Sequence, residues 1–191
     1  EEHHCPCGAT VDTLGTHGLS CRKSAGRHQR HSLINDIVWR ALIKAKIQAM
    51  KEPPGLTRID GKRPDGVTLM HWSHGRCLAW DVTVPDTLAT SHLNRTSVIA
   101  GAAAEYVAEL KTVKYSELIT HYDCIPIAVE TLGSWSDDAL SFIKTLGKRL
   151  TEVTGDTQET FYLLQRLSVA IQRCNAICFI GSFKLHDALH S

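Results

Sequence analysis

The chain has almost no net charge: 21 Lys and Arg stand against 20 Asp and Glu, a formal +1 over 191 residues. This excludes a global basic field as the attractant for nucleic acid, so any such partner must be met by local clusters. It also lacks an apolar run long enough to span a bilayer. The stretch from Phe161 to Phe183 is rich in apolar residues, but Arg166, Gln172, Arg173 and Asn175 interrupt it, which fits a buried amphipathic helix and no membrane partner. A secretory signal and an initiator Met are missing as well. The opening Glu-Glu-His-His-Cys-Pro-Cys is expected to belong to a fragment of a longer protein. Internal repeats and low-complexity tracts are absent, and the length leaves room for one well-packed domain plus a small appendage.

What is present begins with cysteine. Three of the seven, Cys5, Cys7 and Cys21, fall in the first two dozen residues among histidines, while Cys77, Cys124, Cys174 and Cys178 lie singly or in apolar surroundings. That distribution favours metal ligands and buried thiols in a reducing compartment over a disulfide framework. The segment Cys5 to Cys21 is Gly- and Thr-rich and too poor in apolar residues to form its own core, so it needs a staple. Cys5, Cys7, His17 and Cys21 supply the four donors that tetrahedral zinc requires, with His3, His4 and His28 as alternative ligands. A closed four-ligand site is structural rather than catalytic. The basic run that follows, Arg22 to His31, offers Arg22, Lys23, Arg27 and Arg30, with His28 and His31, either to phosphates or to solvent as a plain linker. The expected division is a zinc segment over 1–27 and a main domain over 28–191.

Ser32 can cap a helix in which Leu33, Ile37, Val38, Ala41, Leu42 and Ala45 recur at helical spacing, ending before Pro53-Pro54-Gly55. Two β-prone runs, Val67–Trp72 and Cys77–Val84, flank Ser-His-Gly and predict a hairpin. An Ala-rich helix is expected from about Ile99 to Leu118, then a strand Cys124–Glu130, then helices Asp137–Val153, stopped near Gly155, and Thr160 to about Ile180. The order implies a mixed α/β domain, a small sheet flanked by helices.

If the hairpin turn centres on His74, residues whose numbers sum to about 148 face each other, which sets Asp65 opposite Thr83, beside Asp81 and on the same face. Diagonal neighbours lie about 7–8 Å apart, close enough for two carboxylates to hold a Mg²⁺ between them. Such an ion activates water for in-line attack on a phosphodiester. Asp65 alone, after a proline, also reads as a turn residue. Asp81 sits between Leu78-Ala79-Trp80 and Val82-Thr83-Val84, where an unpaired charge is costly, so a metal, an ion pair or a strand edge must account for it. Lys111 and Lys114 share a helical stripe with Val107 and Leu118 and can bring amines toward the sheet, unless that face is simply solvated.

Taken together, Arg63-Pro64-Asp65, a short hairpin, Trp80-Asp81-Val82-Thr83-Val84 and Lys111-Thr-Val-Lys114-Tyr115 resemble the restriction-enzyme-like endonuclease domain of site-specific non-LTR retrotransposons. This is a branch of the PD-(D/E)xK nuclease superfamily in which a Cys/His zinc knuckle precedes the nuclease. The resemblance covers roughly Cys5 to Glu130. It implies a restriction-endonuclease-like fold, Asp65 and Asp81 as ligands of Mg²⁺ or Mn²⁺, Lys111 as catalytic lysine, Lys114 and Tyr115 in support, and structural Zn²⁺ at the knuckle. Glu52 is a further candidate acid. It also implies DNA as partner, RNA and a reverse transcriptase in the same full-length protein, and a nuclear setting. The superfamily's usual lysine, two residues after the second acid, is replaced here by Thr83. That departure keeps open a catalytically inactive zinc-containing nucleic-acid-binding module, and a structural domain whose acids pair with Arg63 or Lys111.

Overall fold

A computed structural model describes residues 2–56, 63–116 and 120–183. The chain opens with a two-stranded hairpin, β1 (His3–His4) and β2 (Thr10–Val11), and a short helix α1 (Thr16–Ser20). Helix α2 (Ala25–Lys44) follows, with Ser24 at its N-cap position. Ser32 therefore lies inside this helix rather than capping it. The basic run from Arg27 to His31 lies in the helix's first turns, with Arg22 and Lys23 ahead of its N-cap, and the expected division at 27/28 falls within those turns. An apolar tail at Ile34, Val38, Ala41 and Leu42 carries the helix, and α6 packs along that face.

The sheet has the order β3-β4-β5-β6, from Ala49–Lys51, Gly66–Ser73, Arg76–Thr83 and Tyr122–Ala128. The first three strands are antiparallel, and β5 and β6 run parallel. His74 and Gly75, both at positive φ, form the two-residue turn between β4 and β5. A parallel neighbour needs a long crossover, and the segment containing α3 (Thr90–Thr96) and α4 (Ala102–Lys114) supplies it. Helices α5 (Asp137–Thr154), which ends at Gly155 with φ 77°, and α6 (Glu159–Ile180) complete the fold. The helix expected from about Ile99 corresponds to α4 alone, which starts at Ala102, while α3 occupies part of the segment expected to be a loop. Leu118 lies outside the described residues.

Alternation along the central strands sorts the sheet's two faces. Leu78, Trp80 and Val82 of β5, with Ile127 of β6, enter the main core with Phe142, Ile143, Leu146, Leu150, Leu163 and Leu167. Ala128 of β6 faces the other way and packs with Ala104, Ala108 and Val107 of α4. The small side chains let α4 lie close on the sheet. Asp81, between Trp80 and Val82, belongs to this thinner α4 side and is 6% exposed. Among the described residues, no helix is long and apolar enough to cross a membrane.

Candidate functional site

The hairpin register differs from the simple arithmetic in a way that matters for the acids. Near the turn His71 faces Cys77 as expected, but at the base Gly66 faces Trp80 and Val67 faces Ala79, a slip of two residues at an intervening irregularity. Thr68 sits at this slip. Its Oγ1 accepts the Leu78 N–H at 2.9 Å and donates to the Met70 carbonyl at 2.7 Å, so a side chain stands in for ladder partners. Carried one residue past Gly66, this register brings Asp65 level with Asp81 rather than Thr83. Gly66 is needed there, because a Cβ would lie 2.0 Å from the Trp80 ring.

Asp81 Oδ1 accepts the Tyr115 hydroxyl at 2.7 Å, and its Oδ2 is ion-paired with the Lys111 ammonium. Lys114 donates to the Tyr115 hydroxyl at 3.0 Å and lies over that ring, and the same hydroxyl bonds Asp81. Asp65 Oδ2 accepts the Val82 N–H at 2.6 Å and His31 Nε2–H at 2.9 Å. The hydrogen bond to Asp65 outweighs burial and holds His31 above the usual imidazole pKa; Asp81 pushes the same way and Lys111 against it, so these four groups share one electrostatic neighbourhood. Pro64, Ala79, Asp81, Lys111, Tyr115 and Cys124 help to line a small cavity here, about 10 Å³ and large enough for roughly one water. Glu52 donates its backbone N–H to the Asp65 carbonyl, but its carboxylate pairs with Arg63.

Glu130 escaped the sequence reading. It is 1% exposed, at the end of β6, and its Oε1 accepts the Ala103 N–H at 2.9 Å at the start of α4. A carboxylate there satisfies free helix N–H groups and favours the dipole, which anchors the helix that carries Lys111 and precedes Tyr115. The available signal was a single acid closing the apolar run Ile125–Val129.

At the N-terminus, the ligand atoms of Cys5, Cys7, His17 and Cys21 all lie within 4.8 Å of one another. Cys5 Sγ and Cys21 Sγ are 3.7 Å apart, and Cys7 Sγ is 3.2 Å from His17 Nε2. Zn–S bonds of about 2.3 Å in a tetrahedron give sulfur–sulfur edges of about 3.8 Å, so the donor set fits a structural zinc. The Ala9 backbone N–H pulls the Cys7 thiol below its ordinary pKa and toward the thiolate that a metal takes, while burial pushes Cys5 up. His3 is instead stacked on Phe183.

The four predicted phosphate contacts separate. Arg22, Lys23 and Arg27 are exposed. Arg30 is 1% exposed; it donates to Asn175 Oδ1 at 2.6 Å and to the Leu19 carbonyl at 3.0 Å. It is therefore withdrawn from phosphate and ties α1 to α6, because a buried guanidinium must spend its donors internally.

No protein-family model matches the chain, and no curated protein matches it.

Proposed function

We propose that this chain is a divalent-metal-dependent DNA endonuclease with Asp65, Asp81 and Lys111 at its site; the second reading is a catalytically inactive zinc-containing nucleic-acid-binding module. The observation that carries the reading is the Asp81–Lys111 pair. A lysine thirty residues downstream, on a helix across a long crossover, meets the buried acid beside which Asp65 is brought by the strand register. Resemblance to the retrotransposon endonucleases makes the same three assignments.

In this reading Asp65 and Asp81 hold Mg²⁺ or Mn²⁺, which when bound supplies charge neutralisation at the phosphate and a more acidic water. The chain's own residues do the rest. Lys111 releases Asp81 and turns its ammonium to the phosphate oxygens, where positive charge is worth most as negative charge builds. Tyr115 keeps hold of Asp81 through Oδ1. Arg22, Lys23 and Arg27 make salt-sensitive phosphate contacts near the zinc segment.

A specific observation favours a silent binding module instead: the acids are already answered, Asp81 by Lys111 and Tyr115 and Asp65 by His31. Plasmid nicking with Mn²⁺, run beside a gel-shift assay, separates the two. Nicking by the wild type that disappears in Asp65→Ala and Asp81→Ala supports the nuclease. Binding without nicking by the wild type leaves the module, and neither activity removes both. Lys111→Ala should lower the rate far more than Lys114→Ala, since Lys111 is ion-paired with Asp81 itself while Lys114 donates to the Tyr115 hydroxyl.

A further inference from the structure

Asp65 is held by two donors on a single oxygen. Oδ2 receives the Val82 N–H and His31, and among the described residues no hydrogen bond or ion pair engages Oδ1. His31 is itself set by its helix. One turn further along the same face of α2, the buried Asn35 accepts the Trp80 indole N–H at 2.8 Å, which fastens α2 to β5 next to the acids. The imidazole therefore reaches Asp65 from a rigid support.

We infer that His31 is a positioning residue for the divalent-ion site, occupying Asp65 Oδ2 so that Oδ1 is the oxygen presented to the ion. This rests on the reading of Asp65 and Asp81 as ligands. Hydrogen bonds from outside the ligand set fix the rotation of ligating carboxylates, and their loss typically lowers metal affinity or activity about 10–100-fold. Tyr115 does the equivalent for Asp81, so the two acids are steadied from opposite sides, by α2 and by the residue that ends α4. The role differs from the phosphate contact suggested by the basic run, because a ring nitrogen committed to a carboxylate is not offered to DNA.

The test is Mn²⁺ binding to the zinc-loaded chain, followed by calorimetry and by the Mn²⁺ electron paramagnetic resonance signal, for wild type, Asp65→Ala, His31→Ala and His31→Gln. The wild type should bind one Mn²⁺ that Asp65→Ala loses. His31→Ala should weaken that binding about 10–100-fold, and His31→Gln, whose amide N–H can still donate, should recover most of it, at unchanged zinc content. Affinity in His31→Ala within twofold of wild type overturns the inference while leaving the metal site standing. So does a His31→Gln as weak as His31→Ala, or unchanged Mn²⁺ affinity with weakened DNA binding, which assigns His31 to phosphate. Absence of any Asp65-dependent Mn²⁺ site in the wild type removes the nuclease reading itself, and the inference with it.

Discussion

The zinc segment gathers four functional side chains and the acidic site five, under opposite charge conditions. Cys5, Cys7, His17 and Cys21 bring bare ligand atoms together, with Val11 as the apolar residue buried among them. Toward the C-terminal end of β5, Asp81 and the neighbouring Asp65 arrive already matched with Lys111, Tyr115 and His31. The first group has little reason to converge except a shared ion, since so small a cluster cannot offset the entropy of ordering its chain. The second group would hold together with or without one. Convergence of ligand atoms is thus strong evidence for a metal where no counter-charge explains it, and weaker evidence where one does.

Removing zinc should have the largest effect and should be local. Structural zinc typically contributes about 10–16 kcal/mol of apparent binding energy, so chelation or Cys21→Ser should abolish the amide protection of β1, β2 and α1 in hydrogen exchange. Protection of β4, β5 and β6 should persist, because their core shares no residue with the thiol cluster. Protection of α1 that survived complete zinc removal would mean that Leu19 and Arg30 hold the segment without the ion.

The two aspartates should differ next. Asp81→Ala leaves a partly buried Lys111 without its counter-charge, a change that costs about 3–5 kcal/mol where burial is complete and toward the lower end here. Asp65→Ala removes an acceptor from the Val82 N–H at a half-buried position and should cost about 1–2 kcal/mol. Urea denaturation of the zinc-loaded variants measures both. Equal losses would break the distinction between an acid embedded in the sheet and one at its margin.

The same charge logic explains what could be read from the sequence. Four donors in a coreless segment were legible because spacing alone gathers them. Asp81 was legible because a charge between Trp80 and Val82 demands a reason. The hairpin and its turn followed from alternation and from His74-Gly75, whereas the register slip did not, since it depends on the Thr68 hydroxyl replacing a ladder partner. Ser32 misled as a cap because Ser24 was eight residues upstream in a run whose charge disguised a helix. Arg30 was indistinguishable from Arg27 by composition; only Asn175, far along the chain, separates them. Lys111 was chosen over Lys114 by resemblance, and the structure gives the physical difference between them, an ion pair with Asp81 itself against a hydrogen bond to the Tyr115 hydroxyl.

Arg30 and Arg27 turn that last point into a smaller test of how the zinc segment is joined to the main core. Arg30→Ala removes charge-assisted hydrogen bonds to Leu19 and Asn175, each worth about 1.5–3 kcal/mol, and should lower stability by about 2–3 kcal/mol after relaxation. On the proposed DNA-binding reading, the dependence of affinity on salt should stay as it was. Arg27→Ala should leave stability within about 0.5 kcal/mol and, on the same reading, reduce the salt slope of DNA binding by about one ion. A steeper loss of DNA affinity in Arg30→Ala than in Arg27→Ala, at matched folding, would put Arg30 at the phosphate after all.

The smallest effect comes from an acid that has as many partners as Asp81 but keeps them in water. Asp36 pairs with Arg40 at 2.5 Å and with Lys51 at 3.1 Å, linking α2 to β3. The hydrogen bond from Arg40, reinforced by Lys51, holds its pKa below the ordinary carboxylate value. A carboxylate depressed in the folded state binds fewer protons there than in the unfolded chain. Its contribution is therefore fully present above the unfolded value near 3.8 and is lost as pH falls through the lower folded value. Asp36→Asn should remove that acid-side slope from the stability profile, measured by urea denaturation between pH 5 and pH 2. Because both cations remain largely solvated, the loss at neutral pH should stay under about 1 kcal/mol. A loss as large as that of Asp81→Ala would mean that burial is not what makes the Asp81 pair costly to break.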